Sequence, residues 1–546
     1  MKISYKLCKS LNLCLMRLFS RKSRGKNKKS RTPAVSFKKI AVRTYIGIYR
    51  KTVLETYMIE GLGFGMGILI ILNITFTGII VFFERKNPGA TWAWLMVVLF
   101  LPYVGFVLYL VFGLEANKYR TFMAKGKGDL EIFREYSAWD ININRLKAME
   151  KKYYHSDDIL GIPGSENYND LLFLNFTAGF GFFTSNNEVE VFHEGVSKFN
   201  RLIEDIRNAE KFIHLQYYII RNDELSRRII HELAQKAAAG VEVKLLIDGM
   251  GNISSGKKMY KPLTDAGGKL GIFLPPYFVR INYRNHRKIC VIDGKTGYIG
   301  GLNIGDEYLG KVKRFGNWRD AHIRLYGDSV KDLELRFIMD WHYCFPKEEG
   351  FFSRRYFPPM EDIPAVKMQI VSSGPDTKWP SIRDGYIKMI NEANKSIYIQ
   401  TPYFVPDDSI FEMLKIAALS GIDVRIMIPA NPDHPFVYWA ALSYLGELIN
   451  AGVKCYQYED GFVHSKLITV DSFITSVGTA NIDIRSFKLN FEVNAFLYDE
   501  EKTKEFERCF FKDIEKCTVI DHDFYARRSA LTKFRESISR LISPLL

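Results

Sequence analysis

Cysteine is scarce in this chain of 546 residues, and none of it is placed for chemistry. The seven cysteines (Cys8, Cys14, Cys290, Cys344, Cys455, Cys509 and Cys517) are scattered and odd in number, with no CxxC pair and no Cys/His cluster at metal spacing. That excludes a disulfide-stapled secreted scaffold and fits reduced thiols in a cytosolic setting. No metal site and no cofactor are expected. Acidic residues are missing from residues 1–51, which hold 16 Lys and Arg. The remainder carries 60 basic and 61 acidic residues, so the formal net charge of +15 belongs to the N-terminal segment. A body so nearly neutral argues against nucleic acid, which normally needs a basic groove, and no nucleic-acid partner is expected. The basic lead suits an anionic membrane surface, at about 1 kcal/mol per charge, or a solvated tail. A cleavable signal peptide is also lacking, because the first twenty residues begin basic and hold no clean apolar core. A near-match to a phosphate-binding loop, Gly251 to Lys258, ends in Lys where Ser or Thr would hold Mg²⁺. A mobile Gly- and Ser-rich loop is expected there instead.

Long uncharged runs occur at Gly61–Phe83 and Ala93–Gly113. Each matches the roughly 20 residues that span a bilayer as a helix, the alternative being helices buried in a soluble core. The short loop between them makes a tight transmembrane hairpin. Positive-inside reasoning puts residues 1–60, and with them the body that follows the hairpin, on the cytoplasmic side of the cell membrane. The expected protein is multi-pass and integral to the membrane, with Trp92 and Trp94 as interface anchors and a kink at Pro102.

What is present is a short pattern repeated. His286-x-Lys288-x4-Asp293 recurs as His464-x-Lys466-x4-Asp471, and each copy is followed by a small-residue turn ending in Asn303 or Asn481. These are the groups that metal-free phosphodiester chemistry needs. A neutral imidazole can attack phosphorus, and a protonated one can give its proton to the leaving alcohol. Lys288 and Lys466 bring fixed positive charge, and Asn303 and Asn481 bring amide donors for the same phosphate oxygens. One motif supplies half of such a site. The residues before each Asp are apolar and β-prone, so each motif reads as a buried strand. At i and i+2 on a strand, His and Lys share a face, and Asp ends the strand. Glu307 and Glu492, further downstream, either hydrogen-bond a catalytic His and set its tautomer or form surface salt bridges.

The repeat extends beyond the motifs. Asn208 to Gln216 parallels Glu392 to Gln400, each leading to a helical stretch (Leu225–Ala239, Ser409–Ser420) and then to a Gly-led strand at Gly240 or Gly421. The order strand, helix, strand, motif strand is an α/β unit. Two tandem α/β repeats, 181–350 and 351–520, are expected to pack about a pseudo-twofold with both His-Lys faces in one cleft. Around them stand a basic segment (1–55), the transmembrane hairpin (56–115), a linker (116–180) and an amphipathic basic C-terminal helix (521–546), either interfacial or packed on the body. His214 has Tyr398 as its counterpart in the other repeat and reads as structural.

The double HxKx4D motif resembles the phospholipase D superfamily. The Asn87-Pro88-Gly89-Ala90-Thr91-Trp92 stretch, Trp318-Arg319-Asp320-x-His322 and the Ser543-Pro544-Leu545-Leu546 end are similar to the bacterial cardiolipin synthases within it. The likeness runs from about residue 60 onward. It implies phospholipase D-like α/β repeats, with His286 as nucleophile, His464 as general acid/base, and Asp293 and Asp471 as support. It also implies phosphatidyl transfer between two phosphatidylglycerol molecules through a phosphatidyl-histidine. Hydrolysis by the same His pair remains open, as does a non-catalytic membrane scaffold. Oligomeric state is not set by the sequence.

Overall fold

The computed structural model describes residues 88–101, 116–139, 168–275, 282–361 and 366–543, with a few isolated positions besides. The chain forms two units, Met1–Phe82 and Phe83–Leu546, and nearly all described residues belong to the second. The first half of that unit supplies β1 (Asn187–Phe192), β2 (Phe212–Tyr217), β3 (Glu242–Asp248), β4 (Lys269–Phe273), β5 (Arg284–Asn285), β6 (Ile289–Ile292), β7 (Thr296–Gly300), β8 (Trp318–Arg319) and β9 (His322–Gly327). The second half supplies β10 (Lys367–Ser373), β11 (Ser396–Gln400), β12 (Phe404–Val405), β13 (Asp423–Pro429), β14 (Lys454–Tyr458), β15 (Phe462–Val463) and β16 (Leu467–Val470). It continues with β17 (Ile474–Gly478), β18 (Ile482–Asp483), β19 (Asn490–Tyr498) and β20 (Cys517–Ile520).

The strand orders show the duplication. One sheet runs β1-β9-β7-β6-β2-β3-β4 and the other β10-β19-β17-β16-β11-β13-β14, with β20 added at its edge. In both, the strand after the shared Ala-x-Lys turn pairs parallel to the strand that follows the crossover helix and antiparallel to the motif strand. The crossover helices are Glu224–Ala238 and Asp408–Leu419, N-capped by Asp223 and Asp407. Each crossover ends on a glycine with φ near +90°, Gly240 or Gly421, a left-handed close that a side chain resists.

Every residue of both motif strands is buried. Their alternation divides them between cores. Cys290 and Ile292 enter the first repeat's own core, whereas Ile289 and Val291 enter a core shared with Leu467, Val477, Val493 and Leu497 of the second. The two sheets are therefore joined through an apolar layer directly beneath the motifs. Burying such side chains is worth about 1.5–3 kcal/mol each, which makes this joint rigid.

The stretch 116–180, expected as a linker, contains packed helices. Ala116–Trp139 is a helix with Phe122, Ile132 and Tyr136 buried, and Asn169–Gly179 buries Leu171 and Leu172. The expected hairpin is described only in part. Pro88–Phe100 is a helix of 13 residues that stops ahead of Pro102, whose ring disfavours helix at the preceding residue. Trp92 is exposed, and Trp94 is buried edge-on to Tyr109. The run Gly61–Phe83 lies largely outside the described residues, as do residues 1–55. Among the described residues no helix is long and apolar enough to cross a membrane.

The C-terminal helix Ala530–Leu541 is inverted relative to an ordinary surface helix. Its buried residues are Glu536 and Ser539, while Leu531, Phe534, Ile538 and Leu541 are 56%, 63%, 39% and 72% exposed. Polar groups seat it. Glu536 pairs with Arg528, Arg540 lies 3.8 Å over the Tyr444 ring, and Ser543 meets the Tyr444 hydroxyl at 3.0 Å.

Candidate active site

Each HxK segment is held by the opposite repeat. β5, just ahead of His286, pairs in parallel with the start of β19, and β15, just ahead of His464, pairs with β8. The backbone N–H of His286 donates to the Phe491 carbonyl at 3.0 Å, and that of His464 to the Arg319 carbonyl at 2.7 Å. Side-chain alternation then sets the faces. Asn285 and Arg287 both donate to Asp340, at 3.3 and 2.6 Å, so His286 and Lys288 take the other side.

This exchange delivers one carboxylate to each imidazole. Nδ1 of His286 donates to Glu492 at 2.9 Å, and Nδ1 of His464 donates to Asp320 at 2.8 Å. A carboxylate only accepts, so both rings carry their proton on Nδ1 and keep the lone pair on Nε2. Both carboxylates are fully buried. Glu492 is itself fixed by the Thr479 hydroxyl at 2.6 Å and Asn490 at 3.2 Å, and Asp320 by the Ala321 N–H at 2.8 Å. Burial alone would raise them, but His286 and Lys288 for Glu492, and His464 and Lys466 for Asp320, hold both below the usual carboxylate range.

Desolvation outweighs the carboxylates at the imidazoles. His286 is pushed down to about 4 by burial, with Glu492 opposing and Lys288 assisting. His464 is likewise pushed down to about 4, by burial and then by Lys466, with Asp320 opposing. Each His also feels the other motif's lysine, which places the two motifs in one electrostatic site. Lys466 is pushed down to about 8, and Lys288 well below its ordinary value, in both cases chiefly by burial. Each lysine donates to the carbonyl of its own motif His at 2.6 Å. Lys466 also lies against the His464 ring, 2.9 Å from Nδ1 and 3.0 Å from Nε2. The Tyr218 ring stands edge-on to His286 at 5.0 Å and beneath Lys288 at 5.4 Å, and Trp318 stands beside His464 at 5.2 Å.

Other expected site residues lie elsewhere. Asp293 and Asp471 sit at the far ends of the motif strands, each accepting three successive backbone N–H groups: Glu210, Lys211 and Phe212, or Asn394, Lys395 and Ser396. Both adopt φ near +55°. They tie each motif strand to the turn that opens the neighbouring strand. Glu307 pairs with Arg221 at 3.0 Å, the salt bridge that was its alternative role, and not with a catalytic His. Asn303 is occupied by the scaffold, accepting from the Ile219 N–H at 3.2 Å and donating to the Tyr308 hydroxyl at 3.1 Å. Asn481 keeps a buried side-chain oxygen with no hydrogen-bond partner. His214 is buried between Glu334 and Glu242, at 2.7 and 3.2 Å, as a structural residue. The loop after Gly251 is anchored, because Asn252 donates to the Tyr218 and Asp248 carbonyls and Ser255 to that of Ile220.

Sequence reasoning missed Asp320 as the partner of His464. The signal lay in the alignment of Trp318-Arg319-Asp320, which leads into β9, with Asn490-Phe491-Glu492, which opens β19. A longer loop after Asn303 than after Asn481 hides that register and makes Glu307 look like the counterpart.

A duplicated α/β sheet with two HxK strands, each completed by the other repeat, defines the phospholipase D class of enzymes. A model described as "Cardiolipin synthase, PLD-like domain" matches residues 202–314 and 386–514, and a phospholipase D-nuclease N-terminal model matches 71–113. A cardiolipin synthase of Listeria monocytogenes is 46% identical over 483 residues, covering 88% of this chain and 98% of that protein. One of Staphylococcus aureus is 46% identical over 482 residues, covering 87% and 95%. The solved phosphatidylserine synthase of Haemophilus influenzae aligns with a TM-score of 0.53 at 16% identity, over 70% of this chain and 100% of that one, a likeness of fold. The chain belongs to the bacterial cardiolipin synthase family of the phospholipase D superfamily.

Proposed function

We propose that the protein is a cardiolipin synthase that moves a phosphatidyl group from one phosphatidylglycerol to another. The observation that carries the mechanism is the crossed pairing of His286 with Glu492 and His464 with Asp320. His286 Nε2 attacks the donor phosphorus while the P–O bond to glycerol breaks and the glycerol oxygen takes a proton from His464. Glu492 offsets the positive charge on the phosphorylated ring. The free hydroxyl of the second phosphatidylglycerol then attacks, His464 takes its proton, and the P–N bond breaks to release cardiolipin. Lys288, Lys466 and Asn481 stand ready for the non-bridging oxygens. His286 is favoured as nucleophile because Lys466 crowds both ring nitrogens of His464, whereas Lys288 reaches only the His286 carbonyl. One diester replaces another, so the exchange requires no nucleotide.

A lipid substrate brings the body to a bilayer. The runs Gly61–Phe83 and Ala93–Gly113 suit a transmembrane hairpin with the body on the cytoplasmic side. The exposed Leu531, Phe534, Ile538 and Leu541, flanked by exposed Lys533 and Arg535, suit the interface of an anionic leaflet. A Phe534→Asp, Leu541→Asp variant should keep its activity on short-chain phosphatidylglycerol and lose most of it on vesicles. Equal activity on vesicles would remove the helix from this role.

The decisive experiment incubates the detergent-solubilised protein with phosphatidylglycerol and resolves products by mass spectrometry, beside His286→Ala and His464→Ala. Cardiolipin with free glycerol, absent from both variants, is expected. Phosphatidic acid as sole product would make the enzyme a hydrolase.

A further inference from the structure

A synthase of this kind faces a requirement that a hydrolase does not. Its acceptor is itself a phosphodiester, and the attacking hydroxyl lies only three carbons from that second phosphate. A second anion must therefore be held beside the first.

The two halves of the cleft differ where such an anion would lie. Asn285 and Arg287 turn toward Asp340, so Arg284, two residues before His286 on the same strand edge, takes the His286 and Lys288 side. The corresponding position before His464 is Phe462, fully buried and stacked on the His464 ring at 5.9 Å. Downstream of the small-residue turns, Asn481-x-Asp483-x-Arg485 stands where the other half has Asn303-x-Gly305-x-Glu307. One half thus places two arginines where the other has Phe462 and Glu307.

Arg284 and Arg485 converge. Arg284 donates to the Tyr283 carbonyl at 2.8 Å and Arg485 to the adjacent Asn282 carbonyl at 3.0 Å. Both act on Tyr218, the ring that stands edge-on to His286. Each is half-buried, and the charge of Arg284 bears on Arg485. Two carboxylates stand nearby, Asp248 accepting from the backbone of Asn285, Met250 and Gly251, and Asp483 from that of Ser486. Two guanidinium groups held together beside a nucleophile make a subsite for a further anion, and their planar forks suit a phosphodiester.

We propose that Arg284 and Arg485 bind the phosphodiester of the acceptor lipid, and that this subsite makes the enzyme prefer an anionic phospholipid carrying a free hydroxyl over water or a neutral alcohol. The assignment rests on the synthase reading. The donor phosphate meets the His and Lys pairs, and the acceptor phosphate meets the arginines.

The test separates the two half-reactions. Exchange of labelled glycerol into phosphatidylglycerol needs only the donor site, whereas cardiolipin formation needs both. For Arg284→Met and Arg485→Met the ratio of cardiolipin formation to glycerol exchange should fall about 10-fold to 100-fold, with a raised KM for phosphatidylglycerol as acceptor. Arg485→Lys should recover part of the ratio. A ratio within about 2-fold of the parent in both Met variants, or a parallel loss of both reactions, overturns the subsite. If the parent exchanges glycerol but makes no cardiolipin, the synthase reading itself falls.

Discussion

At the scale of single residues, the chemistry depends on two carboxylates that never meet substrate. Glu492 and Asp320 each hold one imidazole with its proton on Nδ1 and its lone pair on Nε2. Glu492→Gln and Asp320→Asn keep the shape but let the amide choose the wrong tautomer. Turnover should fall about 10²- to 10⁴-fold with little change in KM, as measured by lipid product analysis. Retained turnover in both variants would remove the carboxylates from the mechanism. A second expectation concerns protons. Burial leaves both His near 4, so both are neutral at pH 7 in the free enzyme. The reaction needs one of them protonated. A bound phosphodiester anion raises the neighbouring imidazole, so binding should take up a fraction of a proton at pH 7 and strengthen as pH falls. Calorimetry of a non-hydrolysable phosphodiester in buffers of different ionisation heat measures this uptake directly, and a value of zero would contradict it.

At the scale of elements, the motif Asp residues act as ties and not as chemistry. Asp293 and Asp471 each receive three backbone N–H groups at 2.7–2.9 Å from the turn that opens the adjacent strand. A hydrogen bond to a charged group is worth about 1.5–3 kcal/mol, and the acceptor's loss leaves partly buried donors unpaired. Asp293→Ala and Asp471→Ala should each destabilise by about 2–4 kcal/mol, seen as a lower unfolding temperature, and any activity loss should track the unfolded fraction. A normally stable but inactive Asp471→Ala would return that residue to the site.

At the scale of the whole molecule, a buried charge cluster fastens both repeats to the helix Ala116–Trp139. Lys125 on that helix meets Asp340 of the first repeat at 3.0 Å and Asp376 of the second at 2.7 Å, and Arg287, beside His286, shares Asp340. Burial would raise these carboxylates, but Lys125, Arg287 and Arg336 hold them low. Their contribution is complete above about pH 4 and is lost as pH falls below it. Lys125→Met leaves buried carboxylates short of a cation, at a cost of about 3–5 kcal/mol. Thermal unfolding of the full chain in detergent should show that loss at neutral pH. An unchanged midpoint would mean that the helix is not fastened through Lys125.

Much of this protein was written in local patterns. The apolar tetrapeptides ahead of Asp293 and Asp471, the helical stretches and the Gly-led strands each carry their own periodicity, so two α/β repeats and their His-Lys faces could be read directly. The resemblance carried by the motifs named the family. The orienting carboxylates could be read only in part: Glu492 stood out as a candidate partner of a catalytic His, and Asp320 did not. Asp320 serves His464 and Glu492 serves His286 only because β8 and β19 cross to the opposite repeat, and no spacing along the chain encodes a contact across a pseudo-twofold. The same holds for Lys125, placed in an expected linker but buried where the two repeats meet it, and for the C-terminal helix, whose outward apolar face depends on where its polar residues find partners. Sequence fixes what each strand and helix is, through side-chain type and period. Tertiary structure decides which charges face one another, because electrostatics acts through space and burial, both of which exist only once the repeats have closed together.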